Sequence, residues 1–464
     1  MPYKQWINPI FIGLLLLFSL PIKLVELQQW LESALLFSIP IRLSFYTIIL
    51  PPIAALCLIW NKSKFIDICK KYRWPLTLLF FLFCWMWLGA ITGDHMKLSL
   101  KHSGRYTIYL LTFFAFLFAL HNESTKKNSQ VFSAIYIILM VFTFLDHYKL
   151  LSIVEILENF GMKIDLFHSG IEYSETDWER IRNVKGGNYN FIFMYPSSFF
   201  EHRNPYAVAS TGMFFWGLIN IKRSWFYSSL VIISALWSLN ISGSRNGLLT
   251  FFLVTLLLLI LTIRKTRFSR TFLVFILISS FFMIFIFFSI DSETTNRTRS
   301  SINRLISISS YKDLEKMDLR FTMYRVSFDI GFKSSSIFGY GTKTSGYKMF
   351  EDSEDLASNF LPETHNIWAE KYNSHNALLT IWIEMGWVGL IAVLIFLCIW
   401  FRPALRGPPL LMMPMLAVCV GQIFDYFIWE VFFMTFQSFF FAHFASSMYF
   451  VDTNNILRPS EDPD

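Results

Sequence analysis

Long apolar runs, separated by short polar segments, fill most of this chain. A helix needs about 20 mostly apolar residues to cross a hydrocarbon layer of roughly 30 Å, and helices satisfy their own backbone hydrogen bonds there. About twelve stretches meet this requirement. They span residues 8–22, 35–60, 75–92, 106–121, 131–151, 205–221, 225–241, 247–263, 271–290, 377–400, 409–427 and 429–450. The pattern predicts an all-α, polytopic integral membrane protein that forms a single multi-span domain over residues 1–464.

The composition agrees with a membrane protein and excludes a water-soluble domain. Of 464 residues, 54% are hydrophobic and only 16% are charged. The net charge of +7 reflects Lys and Arg retained in cytoplasmic loops, and it does not indicate a nucleic-acid partner, because no soluble segment interleaves basic residues with aromatic ones. The five cysteines lie in predicted spans or cytoplasmic loops without a CxxC pair, so we expect no periplasmic disulfide.

The distribution of Lys and Arg in short loops predicts that the N-terminus is cytoplasmic. Two long segments then face the periplasm, a smaller loop at residues 152–190 and a large loop at 291–374, in which we expect short helices. One loop conflicts with this scheme, because Lys97 to Arg105 is short and basic yet lies outside. Either its charge has a role, such as binding lipid phosphate, or the count is wrong by one pair of spans.

Arg245 lies in the motif Ser-Gly-Ser-Arg-Asn-Gly, at the outer start of the eighth predicted helix. The N–H groups at a helix N-terminus attract anions, and the planar fork of an arginine matches phosphate oxygens. The motif therefore indicates a phosphate site. The alternative is an interfacial arginine whose side chain extends to the lipid head groups.

Arg320 begins a segment that predicts an amphipathic helix, with apolar residues at Phe321, Tyr324, Phe328 and 330–332. We expect this helix to close at the Phe-Gly-Tyr-Gly turn of residues 338–341, where two glycines can adopt positive φ. The alternative for the arginine is simple solvation in a periplasmic loop.

His375 lies where the large loop enters the tenth predicted span, between Asn373-Ser374 and Asn376. A histidine at such a polar boundary can accept a proton from a hydroxyl group. Glu384, nine residues later, is out of helical phase and is not expected to orient the ring. The alternative is a structural, hydrogen-bonded histidine. We expect no metal site, because no second histidine at ligand spacing accompanies Glu363 and His365.

The order of these motifs resembles the O-antigen ligase and O-antigen polymerase superfamily of bacterial envelope enzymes. The similarity consists of SGSRNG, then Arg-x-x-x-Tyr leading to GYG, then SHNALLTIWIEMGWVGL, over about residues 185–400. In addition, the segment FEHRNPYA at residues 200–207 is similar to a His-x-Asn-x-x-Ala stretch of that family. Tyr324 stands where the family commonly has Trp.

The resemblance implies a multi-pass glycosyltransferase of the bacterial inner membrane, with its active site on the periplasmic face. Such an enzyme takes a glycan from undecaprenyl diphosphate without a metal or cofactor and inverts the anomeric carbon. A ligase transfers the glycan to a sugar hydroxyl of lipid A-core, and a polymerase transfers it to another lipid-linked repeat unit. We favour the ligase because one periplasmic loop dominates. The polymerase is the first alternative, and a membrane transporter or flippase is the second.

The resemblance also implies roles for individual residues. Arg245 and Arg320 would bind the diphosphate, and His375 would activate the acceptor hydroxyl. The residues expected to contact the substrates are Arg203, His202, Asn204, Asn376 and Tyr324. Asp94 and His95, beside the basic loop, are further candidates for contacting phosphate groups. The expected partners are the lipid-linked glycan donor, the lipid acceptor and membrane lipids.

Overall fold

The computed structural model describes residues 4–35, 44–93, 95–121, 125–148, 150–151, 156–157, 159–160, 162–164, 200, 203–242, 244–264, 319–333, 337–357, 369, 373–405, 407–425 and 431–456. These residues are predominantly helical. The helices are α1 Lys4–Leu17, α2 Val25–Leu35, α3 Phe45–Ile48, α4 Leu50–Trp60, α5 Phe65–Lys71, α6 Arg73–Thr92, α7 Met96–Leu120, α8 Thr125–His147, α9 Arg203–Asn220, α10 Trp225–Ser242, α11 Arg245–Arg264, α12 Leu319–Lys333, α13 Ser345–Asp352, α14 Glu354–Ala357, α15 Ala377–Phe401, α16 Met413–Phe424 and α17 Val431–Ile456.

Every predicted apolar stretch contains a helix, apart from residues 271–290, which lie outside the described residues. Among the residues described, 5 helices are long and apolar enough to cross a membrane, namely α6, α7, α8, α10 and α15. A sixth candidate span combines residues 45–60 with residues 62–71, which are bent relative to each other by 63°. The protein is therefore a helical membrane protein, and the count of about twelve spans stays a prediction.

A short antiparallel pair of strands departs from the all-α expectation. Strand β1, Ile22–Leu24, pairs with strand β2, Met162–Ile164, with Ile22 opposite Ile164. Pro21 disfavours the α conformation in the residue before it, so the apolar stretch that starts at residue 8 leaves its helix and ends as a strand. The pairing joins the segment after α1 to the 152–190 segment.

Helix α9 lies at the centre of the bundle, where it packs against α10, α11, α16 and α17. Its Trp216 is fully buried and donates its indole N–H to Ser133 Oγ at 3.1 Å. At the crossing with α11, a Cβ on Gly247 would lie 2.3 Å from Ala207 Cβ, so only glycine allows this close approach. The close crossing brings the N-terminal ends of α9 and α11 together.

Helix α12 packs on α15, but the predicted apolar face was only partly right. The buried hydrophobic residues of α12 are Met323, Val326 and Ile330, of which only Ile330 was predicted, whereas Phe328 and Phe332 are 49% and 63% exposed. The physical reason is that the aliphatic residues pack in a cluster with α13 and α14, while the two phenylalanine rings lie beside tryptophan rings at the surface of α15.

The basic segment Lys97 to Arg105 is not a loop, and that prediction was also wrong. These residues form the first turns of α7, and only a short connection at residues 93–95 separates α7 from α6. Lys97, Lys101 and Arg105 recur every four residues and therefore lie on successive turns of one side, whereas His102 and Ser103 are buried. The buried side of this helical segment is itself polar and consists of Ser99, His102 and Ser103.

Candidate functional site

His375 lies immediately before α15 in an unusual backbone conformation. Its φ is +48°, and its backbone N–H donates to Asn373 Oδ1 at 2.8 Å. The side chain of Asn376, the next residue, caps the helix by accepting a hydrogen bond from the N–H of Leu379 at 3.1 Å. The Asn-Ser-His-Asn sequence therefore stops the chain in a turn that holds the half-buried His375 ring at the end of the helix.

Asp425 orients the ring of His375, and the sequence analysis did not identify it. Its Oδ1 lies 2.9 Å from His375 Nδ1, and its side chain is almost entirely buried. Asp425 directly follows the last residue of α16. The sequence did contain a clue to Asp425, because this residue is the one carboxylate between residues 402 and 429 and lies at the end of an apolar stretch. A buried acidic residue in such a stretch indicates function by default.

A chain of hydrogen bonds supports Asp425 from behind. Asn204 Nδ2 donates to Asp425 Oδ2 at 2.7 Å, and Ser244 Oγ donates to Asn204 Oδ1 at 2.7 Å. The backbone N–H of Gly247 donates in turn to Ser244 Oγ at 3.1 Å. Asn204 belongs to the FEHRNPYA segment and Ser244 to the SGSRNG motif, so the structure brings these two motifs to the SHN motif.

Arg245 is the first residue of α11 and directly follows Ser244, so its backbone is anchored beside this chain. Its side chain is exposed. The neighbouring Asn246 is buried and donates from Nδ2 to the carbonyl of Gly421 at 3.2 Å. The start of α11 is thus attached to α16, one turn before Asp425, and the guanidinium group extends from a fixed helix N-terminus.

Arg320 lies in the first turn of α12 and is half-buried. Four residues later, the hydroxyl of Tyr324 donates to the backbone carbonyl of His375 at 3.4 Å. Residues four apart share one face of a helix. The face of α12 that carries Arg320 therefore turns toward the His375 loop.

The other residues singled out in the sequence fall in different places. Asn376 Nδ2 donates to the carbonyl of Ile423 at 2.8 Å, so both ends of its amide hold the start of α15 against α16. Arg203 begins α9, next to Asn204, and His202 lies outside the described residues, as does Asp94. His95 does not join the two arginines. It lies against Tyr347, with 4.5 Å between ring centroids, and 3.6 Å from Glu351.

The Phe-Gly-Tyr-Gly turn has the conformation that the sequence predicted. Gly339 and Gly341 have φ values of +76° and +100°. The N–H groups of Tyr340 and Gly341 donate to the carbonyls of Ile383 and Glu384, each at 3.0 Å. Those carbonyls are available because α15 is kinked at Gly386, which has φ +67°. The kink of α15 therefore holds the turn after α12.

Glu384 is buried with a separate set of partners, as its helical phase predicted. Its Oε1 accepts a hydrogen bond from Ser345 Oγ at 2.9 Å. The carboxylate that contacts His375 is Asp425 instead. Within the described residues, no three His, Cys, Asp or Glu side chains group together as ligands of a metal ion would.

The site therefore combines a histidine oriented by a buried carboxylate with a supporting amide and hydroxyl. The helices whose first turns carry the two arginines are joined to it through Ser244 and Tyr324. One comparison with known proteins gives a match. Residues 229–394 match the family model described as O-Antigen ligase, and this range includes Arg245, Arg320 and His375. No curated protein matches the chain.

Proposed function

Residues 229–394 match the O-antigen ligase family model, and we propose on this basis that the protein is an O-antigen ligase, a membrane glycosyltransferase. It transfers a glycan from undecaprenyl diphosphate to a sugar hydroxyl of lipid A-core, at the periplasmic face of the inner membrane. The observation that carries the proposal is the pairing of His375 with the buried Asp425, which hydrogen bonds connect to the helices that bear the two arginines.

His375 acts as the general base. The Asp425 carboxylate accepts from Nδ1–H, so the second ring nitrogen, Nε2, carries the lone pair that can take a proton. As the acceptor oxygen attacks the anomeric carbon, its proton passes to Nε2, and Asp425 stabilises the imidazolium ion that forms. A positioned base of this kind contributes about 10²- to 10⁴-fold to the rate.

Arg245 and Arg320 bind the diphosphate of the donor. The bond between the anomeric carbon and the phosphate oxygen breaks as the new glycosidic bond forms, and undecaprenyl diphosphate leaves with the bonding electrons. Negative charge grows on the diphosphate during this step, so guanidinium groups in place beforehand stabilise the transition state more than the ground state. The leaving group needs no separate general acid. Attack opposite the departing oxygen inverts the anomeric centre.

The base and the arginines are held by different helices that converge at one end of the bundle. Asn204 and Ser244 connect the start of α11, where Arg245 lies, to Asp425. Tyr324 connects α12, where Arg320 lies, to the backbone of His375. Such rigid support keeps the base and the phosphate-binding groups at a constant separation. The acceptor hydroxyl and the anomeric carbon of the donor are then held in the geometry that the reaction needs.

The proposal is tested in a deletion strain complemented with the wild-type gene, Arg320→Ala or His375→Ala. Lipopolysaccharide and undecaprenyl-linked glycan are resolved on gels. For a ligase, both variants leave long polymer on the lipid carrier beside bare lipid A-core. Core capped with a single repeat unit indicates the polymerase instead. Normal lipopolysaccharide in either variant, at wild-type protein level, would overturn the assignment of that residue.

A further inference from the structure

A second polar cluster lies at the start of α7, away from the His375 site. Its centre is His102, which is 6% exposed. Neither Nδ1 nor Nε2 of its ring has a hydrogen-bond partner among the residues that the structure describes. Buried imidazole nitrogens are ordinarily satisfied, because an unpaired polar group in a low-dielectric environment is costly. The two unpaired ring nitrogens therefore indicate that a ligand could supply the missing hydrogen-bond partner.

Among the residues that the structure describes, the charges that act directly on the His102 ring are all positive. In order of their effect on the ring, they belong to Arg105, Lys343 and Lys101. Lys343 is 7% exposed, and Arg105 is half-buried with its Nη2 donating to Tyr46 OH at 3.4 Å. Three cations at one partly buried place repel one another, so they favour a ligand that carries more than one negative charge.

The walls of this cluster are held in place by contacts between α7 and the turn after Gly341. Ser103 Oγ and Thr342 Oγ1 are 2.7 Å apart, and Thr342 Oγ1 donates to the carbonyl of Ser99 at 2.9 Å. The next residue, Lys343, has φ +64°, a conformation that non-glycine residues seldom adopt. The turn thus presents a lysine to His102 in a strained conformation, which is typical of functional positions.

In the described part of the chain, the Glu384 carboxylate adjoins this cluster. Glu384 interacts with the charge of Lys343, accepts from the backbone N–H groups of Lys343 and Ser345, and accepts from Ser345 Oγ at 2.9 Å. It offsets one of the three positive charges. An excess of positive charge remains around His102, together with an imidazole that can donate a hydrogen bond.

We propose that Lys101, His102, Arg105 and Lys343 form a binding site for a phosphate group, separate from the His375 site. Lysine and arginine are the residues that bind phosphate oxygens, and an imidazole N–H supplies a directed donor to one of them. The three helical residues of the site lie in the second and third turns of α7, at the end of the bundle that the proposed topology places at the periplasmic surface. A lipid head group reaches that level. The phosphate belongs either to an anionic phospholipid or, if the proposed function holds, to the lipid A-core acceptor.

The test uses the reactivity of Lys101, which is exposed and lies one turn after Lys97, also exposed. The full-length protein in phosphatidylcholine nanodiscs is treated with an amine-acetylating reagent. Mass spectrometry then gives the rate of modification of each lysine. Lys97 is the internal control, because it does not belong to the proposed site. The ratio of the Lys101 and Lys97 modification rates reports on the start of α7, so phosphate bound at Arg245 and Arg320 should leave it unchanged.

Three probes are compared: inorganic phosphate, phosphatidylglycerol added to the nanodiscs, and lipid A-core added to the nanodiscs. The expected result is that at least one probe slows modification of Lys101 relative to Lys97 by about tenfold, the scale of a hydrogen bond to a charged group. Protection by phosphatidylglycerol assigns the phosphate to the bilayer, and protection by lipid A-core alone assigns it to the acceptor. An unchanged ratio with all three probes overturns the proposal.

Two variants complete the test. Lys343→Gly removes one charge and suits the positive φ of that position, so the fold is expected to persist, and the protection of Lys101 is expected to be lost. Arg105→Gln is the second variant and is expected to weaken protection as well. If both variants, shown to be folded by thermal unfolding, are protected as strongly as the wild type, the site is not built from these residues. Neither residue belongs to the proposed catalytic machinery, so this result is independent of the ligase assay.

Discussion

Asp425→Asn is the substitution that tests the proposed base most directly, because it changes one atom in the hydrogen-bond chain behind His375. The Asp425 carboxylate can only accept, so the Asn204 NH2 group faces it and donates. Asn204 Oδ1 then accepts from Ser244 Oγ, which itself accepts from the backbone N–H of Gly247. We expect the Asn204 and Ser244 side chains to keep these orientations in the variant.

An asparagine at position 425 satisfies this chain in one orientation. Its oxygen faces the NH2 group of Asn204, and its own NH2 group then faces His375 Nδ1. The ring must accept there, so the proton moves to Nε2 and the base is lost. The imidazolium ion also loses its carboxylate. A lost general base costs about 10²- to 10⁴-fold in rate, which is about 3–5 kcal/mol of transition-state stabilisation at 1.36 kcal/mol per tenfold.

The assay is turnover of undecaprenyl-diphosphate-linked glycan by the purified protein in proteoliposomes with lipid A-core. We expect kcat to fall by this amount with little change in KM for the donor, because Asp425 contacts the base and not the arginines. The amide keeps its bond to Asn204, so the thermal unfolding midpoint should stay close to that of the wild type.

Asp329→Asn is the matched control. Asp329 is partly exposed and lies 4.0 Å from Arg325 across one turn of α12, a surface pair worth about 0–1 kcal/mol. We expect no change in turnover. A folded Asp425→Asn protein that turns over donor at the wild-type rate would refute the pairing of His375 and Asp425 as the base.

Three further substitutions test how the site is held. Tyr324→Phe removes the long 3.4 Å bond to the carbonyl of His375 and should lower kcat by no more than about tenfold, measured in the same assay. Gly339→Ala should lower the thermal unfolding midpoint, because its Cβ would lie 2.4 Å from the carbonyl oxygen of Glu384 at φ +76°; an unchanged midpoint would show that this turn is not tightly held. Gly104→Ala is the opposite case, since its Cβ meets nothing within 4 Å inside α7, and it should stabilise the fold by about 0.5–1 kcal/mol, measured by the same unfolding.

Local properties of the site were predictable from the sequence. The start of α11 at Arg245 and the start of α12 near Arg320 follow from the apolar patterns that come after them. The positive φ of Gly339 and Gly341 follows from turn chemistry. Each of these features depends on residues a few positions apart, and the side-chain period of a helix or the conformational freedom of glycine is enough to decide them.

Two predictions failed where packing overrides local pattern. The rings of Phe328 and Phe332 recur at helical spacing and predicted the buried face of α12, but the neighbouring aliphatic residues are buried instead. The basic residues from Lys97 to Arg105 suggested a loop, but they extend α7. In both cases the types of side chain did not decide the outcome. The position of the neighbouring helices determined which residues of each segment are buried.

The apolar pattern and the motifs were enough to identify a helical membrane protein, to locate most of its helices and to show which family it resembles. The contacts of Asp425 with His375, 50 positions earlier, and with Asn204, 221 positions earlier, became visible in the folded chain. The two kinds of feature differ in the range of the interactions that set them. Hydrophobic periodicity and turn conformation depend on residues that are close together in the sequence. The hydrogen bonds of Asp425 instead depend on the packing of helix ends. They form because α9 and α11 cross closely and α16 ends beside them.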